Sequence, residues 1–122
     1  MPMKIAVDFD RTLSYYEGHK TWKMYQFGPP IPAMYFRVKK WISEGHNVII
    51  FTARVAPHGE NYDIEGVRRA IQDWLQANDL PRLEVTCIKT PDIDQIWDNK
   101  AVSVKENSGL CVSFLLSDDE SD

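Results

Sequence analysis

Long apolar runs are missing from this chain. Nowhere do about 18 consecutive apolar residues occur, so no helix of the sequence can span a bilayer, and the stretch before the first acid is too short for a secretory leader. Cysteine is scarce as well. Cys87 and Cys111 stand alone, without a CxxC spacing, which excludes a disulfide framework or zinc ribbon and points to small residues in apolar surroundings in a reducing, cytoplasmic compartment. No glycine-rich loop ending in Lys-Ser or Lys-Thr is present, which argues against a phosphate-cradling nucleotide kinase. An excess of positive charge is lacking too. The net charge is −4, and Asp118, Asp119, Glu120 and Asp122 account for it, leaving a near-neutral body that suits neither a nucleic-acid coat nor an anionic membrane surface.

What is present suffices for one folded domain. A chain of 122 residues, 43% hydrophobic and 26% charged, buries a sizeable core without staples and is too apolar for wholesale disorder. We expect a single domain over residues 1–116, with a flap at 14–31, and a disordered acidic tail at 117–122.

The pattern along the chain is that of an α/β protein. Residues 3–8 read as a buried strand that ends in acids. Residues 14–31 are aromatic-rich and close on Gly28, Pro29 and Pro30, so they form a loop or flap. From Pro32, the spacing of Met34, Tyr35, Val38, Trp41 and Ile42 predicts an amphipathic helix that Gly45 stops. Residues 48–51 are a continuously apolar strand, 55–62 a connecting loop, and 63–77 a second helix with Ile64, Val67, Ile71, Trp74 and Leu75 on one face and Asn78 as its stop. Residues 83–88 and 95–97 read as third and fourth strands, and 101–105 alternate with a hairpin partner at 110–115. The expected architecture is a three-layer, Rossmann-like parallel sheet flanked by helices.

Acids and donors gather at the strand ends. Asp8 and Asp10 follow the first strand, Thr52 the second, Lys89 the third, and Asp98 with Asn99 the fourth. In an open parallel sheet these all reach the carboxyl edge, where ligands bind. Two carboxylates held this close need a cation between them or keep one proton. A nucleophilic acid, a second acid for the proton, a hydroxyl and an ammonium for phosphoryl oxygens, and an outer acid for Mg²⁺ are the parts of phosphoryl transfer through a carboxylate.

In order, Asp8-Phe9-Asp10-Arg11-Thr12, Phe51-Thr52, Lys89 and Asp98-Asn99 resemble the four motifs of the haloacid dehalogenase (HAD) superfamily, over about residues 5–104. That resemblance implies a Mg²⁺-dependent phosphohydrolase in which Asp8 forms an aspartyl phosphate. Asp10 protonates the leaving alcohol and activates the hydrolytic water, Thr52 holds a phosphoryl oxygen, and Lys89 neutralises charge. Mg²⁺ would be held by Asp8, the Asp10 backbone carbonyl and Asp98. Arg11, Thr12 and Arg54 are candidate substrate contacts. Two departures stand out: Arg11 where many members carry glycine, and Asn99 where many carry a second acid. Residues 14–31 and 55–62 are too short for a large cap domain, so the site should be open, and an open site suits a phosphate on a large or exposed substrate, or closure by another subunit.

Each sharp reading has a plain one beside it. Tyr15, Tyr16, His19, Lys20, Trp22, Lys23 and Tyr25 either stack and hold a nucleotide or nucleic-acid end phosphate, or pack the flap on the sheet. Arg54 is a phosphate contact or a solvated loop residue. His58 reads as structural, and Trp41 and Trp74 as core. Two other functions fit part of the pattern: a catalytically silent domain of the same shape, and a receiver-type phosphoacceptor. The receiver is disfavoured because its acid belongs at the end of a middle strand in the sequence, where this chain has Thr52.

Overall fold

The computed structural model describes residues 2–16 and 23–112. Four strands, β1 (Lys4–Val7), β2 (Asn47–Phe51), β3 (Val85–Thr86) and β4 (Gln95–Trp97), form one parallel sheet in the order β3-β2-β1-β4. Two helices, α1 (Pro32–Ser43) and α2 (Ile64–Ala77), flank it. This is the α/β, Rossmann-like parallel sheet that the pattern of strands and helices predicts, with the two described helices forming one layer on it where three layers are expected.

β1 is central because its residues are apolar on both sides. Ile5 pairs with Val48 and Gln95, Val7 with Ile50 and Trp97, and Ile5, Ala6 and Val7 are all fully buried. Alternation puts Ile5, Val7, Val48 and Ile50 on one face, where they join the core formed with Val38 of α1 and Val67, Ile71 and Leu75 of α2. Both crossovers run in the same direction across the sheet, so both helices lie against that face. They touch: the Tyr35 hydroxyl donates to the Asn78 carbonyl at 2.6 Å, and Lys39 pairs with Asp79. Ala6 and Ile49, which point the other way, are buried too.

Local signals set the helix ends. Pro32 opens α1, and Gly45 (φ 88°) follows its end in a left-handed conformation that only glycine adopts freely. The Asp63 carboxylate caps α2 by accepting from the Gly66 amide at 3.0 Å. Phe9, fully buried just beyond β1, meets Phe27 and Trp74 edge-on at 5.0 Å each, which ties strand, flap and helix together.

Two strands are shorter than their apolar runs. β3 keeps only Val85 and Thr86 of residues 83–88, because it pairs with β2 alone and the Thr86 hydroxyl takes the Ile88 amide at 3.0 Å, turning the chain away; Ile88 is 64% exposed. The hairpin near the end is a single bridge between Val104 and Cys111, flanked by Lys105 and Val112 amides on Leu110 and Ser103 carbonyls. Residues 113–115 of its expected partner, and the tail, lie outside the described residues. Cys87 and Cys111 are both half-buried. No helix among the described residues is long and apolar enough to cross a membrane.

The flap residues on either side of 17–22 are fastened to the body. The Gly28 carbonyl accepts from the Trp74 indole at 2.9 Å, Tyr25 donates to Asp63, and a Cβ on Gly28 would lie 2.1 Å from the Tyr15 carbonyl oxygen. Gly28→Ala therefore forces this backbone apart. It is expected to lower stability by about 2 kcal/mol or more in urea unfolding, whereas an unchanged midpoint would show the flap to be loosely held.

Candidate active site

The strand order creates the site. From β1 the chain proceeds to β2 on one side, while β4 is added on the other, so the topological switch falls between β1 and β4. A cleft of about 910 Å³ opens at the carboxyl edge there, lined by Asp8, Asp10, Thr52, Arg54, Asp98 and Asn99 among others. The Asp8 amide donates to the Trp97 carbonyl at 2.8 Å and carries the β1–β4 pairing up to the cleft floor.

Asp8 is half-buried between donors and another acid. The Thr12 hydroxyl donates to its Oδ2 at 3.2 Å, and the Phe9 amide also bonds it. Asn99, with its amide oriented to satisfy its neighbours, donates to Asp8 Oδ2 at 3.0 Å and to Asp98 Oδ1 at 3.3 Å. Burial first, and the charge of Asp98 second, push the Asp8 carboxyl up to about 6 from 3.8. Asn99 thus bridges the two acids, where a third carboxylate would add to their repulsion.

Thr12 is held at Asp8 by a tight turn in which the Phe9 carbonyl accepts from the amides of Thr12, Leu13 and Ser14. Its hydroxyl donates to Asp8, and the cleft wall is formed by its neighbours Asp10 and Arg11. Arg11, in the same turn, has φ 68°, which explains why glycine suits that position; its guanidinium lies 5.3 Å from the Tyr16 ring centre, at the cleft wall.

Asp10 and Arg54 form the tightest polar contact of the site. Arg54 Nε donates to Asp10 Oδ2 at 2.6 Å and Nη2 to Oδ1 at 2.9 Å, in a two-pronged fork. Nη1 reaches the Lys23 carbonyl at 3.0 Å, the guanidinium covers the Phe27 ring at 4.8 Å, and the side chain is only 5% exposed. Arg54 is not the solvated loop residue of the plain reading: it lines the cleft with its Nε, Nη1 and Nη2 each bonded to the protein. No local signal marks this pair, whose members are 44 residues apart.

Thr52 is buried at the cleft, where its oxygen accepts from the Arg54 amide at 3.2 Å and its proton is left to donate. Lys89 is not brought to the site. β3 ends three residues before it, and Lys89 is exposed and absent from the cleft wall. Lys100 lines the cleft instead, on the loop whose backbone amide caps Asp98 at 2.9 Å. Its place directly after Asp98-Asn99 was the available signal. His58 Nε2 donates to the Ala53 carbonyl at 2.8 Å and the ring packs on Tyr62, a structural part at the cleft's edge. Tyr16 lines the cleft and Tyr15 is exposed; His19, Lys20 and Trp22 lie outside the described residues.

Among the described residues, no three His, Cys, Asp or Glu side chains gather as a metal cage. Mg²⁺ does not require one: one or two carboxylates, completed by waters and substrate phosphate, are its usual protein share. Asp8 and Asp98, two acids whose charges oppose each other across one cleft, fit that share.

The fold and the site together define a small α/β protein with an acid-lined cleft at its switch point. No protein-family model matches the chain, and no curated protein matches it. Among solved structures it is similar to a conserved protein from Bacteroides thetaiotaomicron, with a TM-score of 0.54 and 21% identity over 100% of this chain and 93% of that one. At that identity the likeness establishes the fold.

Two predictions follow from the charges. Ionised Asp8 opposes folding: its proton is held more tightly in the folded than in the unfolded chain, so the cost is complete above about pH 6 and vanishes as the pH falls below 3.8. Asp8→Asn is expected to raise stability by on the order of 2 kcal/mol at pH 8, with the gain shrinking toward pH 4 in parallel denaturation series. A gain independent of pH would contradict this. Arg54→Met leaves Asp10 without its cation and is expected to cost roughly 2–4 kcal/mol; Arg54→Lys recovers little of it, since an ammonium cannot form the fork. Full recovery by lysine, measured by thermal unfolding, would show that charge alone matters.

Proposed function

We propose that the chain is a Mg²⁺-dependent phosphohydrolase that works through an aspartyl phosphate on Asp8, as its resemblance to the HAD superfamily implies. The observation that carries this reading is the setting of Asp8. It follows the central strand at the switch point, is oriented by Thr12 and Asn99, and its anion is disfavoured first by burial and second by the charge of Asp98.

The chemistry then follows from the side chains. The Asp8 carboxylate attacks phosphorus while the ester P–O bond breaks, and the departing alkoxide takes a proton from the Asp10 carboxyl. Water next attacks phosphorus, releasing Asp8 and returning its proton to Asp10. Thr52 donates to a phosphoryl oxygen. Asp8, Asp98 and the Asp10 backbone carbonyl would hold Mg²⁺, which supplies positive charge against the phosphoryl oxygens. Lys89 is exposed beyond the end of β3, and Lys100 and Arg11 are the cleft-wall cations placed for the neutralising role. Residues with the cleft's aromatic and basic surroundings, Tyr16 and Arg11 foremost, favour a nucleotide or a nucleic-acid end phosphate as substrate.

One observation favours a second reading, a catalytically silent domain of the same shape: both Asp10 oxygens are taken by Arg54, so Asp10 has to loosen that fork to handle a proton.

Phosphate release from an aryl phosphate and a nucleotide panel, with Mg²⁺ or with EDTA, separates the two. Turnover that needs Mg²⁺, disappears in Asp8→Asn and falls at least about 100-fold in Asp10→Asn is expected. No turnover on any substrate, together with no uptake of beryllium fluoride on Asp8, would establish the silent domain.

A further inference from the structure

Five ion pairs between arginine or lysine and acids occur among the described residues: Lys4 with Asp92, Lys39 with Asp79, Arg54 with Asp10, Arg68 with Glu65 and Arg82 with Asp73. Arg11 and Lys100 line a cleft that holds Asp8, Asp10 and Asp98, yet neither pairs with a described acid. Arg11 is next to Asp10 in the chain, but Asp10 is occupied by Arg54.

Arg11 also holds an unfavourable backbone conformation. At φ 68° glycine would be free of strain, so the turn carries a cost for presenting this side chain. What it presents is a guanidinium backed by the Tyr16 ring at 5.3 Å, in the wall of the cleft. A guanidinium so backed loses rotamer freedom while keeping its planar donor edge, the form suited to a phosphate's paired oxygens. Lys100 follows Asp98 and brings a second cation to the same cleft. The volume, about 910 Å³, lies at the upper end of what small-molecule sites offer and holds far more than one phosphoryl group.

We infer that the cleft takes a phosphate ester bearing a second phosphate group, which Arg11 and Lys100 bind while the first sits at Asp8. This rests on the phosphohydrolase reading and narrows its substrate. The second phosphate can be a terminal group on a small bisphosphate or the phosphodiester that follows a nucleic-acid 5′ end; both offer paired anionic oxygens.

The test compares three probes on the full chain with Mg²⁺: adenosine 5′-monophosphate, adenosine 3′,5′-bisphosphate and a 5′-phosphorylated dinucleotide. The kcat/KM for phosphate release is expected to be at least about tenfold higher on the bisphosphate than on the monophosphate, the size of one charge-assisted pair. Arg11→Gly, which relieves the backbone, brings that ratio to within about threefold of unity, and Arg11→Lys restores part of it. A dinucleotide as good as the bisphosphate assigns the second phosphate to a nucleic-acid end; a dinucleotide no better than the monophosphate assigns it to a small bisphosphate. Equal kcat/KM on monophosphate and bisphosphate, or a ratio unchanged by Arg11→Gly, overturns the inference.

Should no probe be turned over, the hydrolase reading fails by itself. Calorimetric binding of the same monophosphate and bisphosphate then decides: a bisphosphate preference of about tenfold that Arg11→Gly removes sustains the second-phosphate site, and equal affinities overturn it.

Discussion

The burial of the Asp8 carboxyl, with the charge of Asp98 added to it, is the constraint on which the site depends. Parallel pairing of β1 with β4 delivers both acids to one crevice, and the pairing persists to the floor through the Asp8 amide on the Trp97 carbonyl. Asn99 and Thr12 supply hydrogen bonds that hold Asp8 in place without cancelling its charge. The folded chain therefore carries a local electrostatic cost, offset by the apolar burial of β1 and its neighbours. A buried acid with a second acid beside it is the setting in which a bound cation would relieve that cost, as the proposed function requires.

Around this pair, Arg54 joins three parts of the chain that are distant in sequence. It forks onto Asp10 after β1, reaches the Lys23 carbonyl and the Phe27 ring in the flap, and stands in the short turn Ala53–Val55 that follows β2. Phe27 in turn packs on Phe9, between the two acids in sequence. The second acid is thus positioned by the same contacts that seat the flap. Arg11 and Lys100 are the other cations of the cleft wall.

Much of this was legible from residue order, for reasons that can be named. β1, β2 and both helices bury their apolar residues, so periodicity marks them, and the acids at the ends of β1 and β4 are placed by strand geometry alone. β3 was less legible because an edge strand is limited by its single partner; ending at Thr86, it leaves Lys89 outside the cleft that a full-length strand would have delivered it to. The Arg54–Asp10 fork could not be read, since a loop arginine carries no periodicity and its partner is set by tertiary packing. Arg11 was noticed as a departure from glycine, but its left-handed backbone and its backing by Tyr16 required coordinates.

The most direct test of the acid pair is a carbon-13 NMR titration of the Asp8 side-chain carboxyl, with and without Mg²⁺. The account predicts a midpoint of about 6 in the metal-free protein, well above the ordinary 3.8, and a displacement to lower pH when Mg²⁺ is added. A midpoint at the ordinary carboxylate value that Mg²⁺ does not move would contradict it.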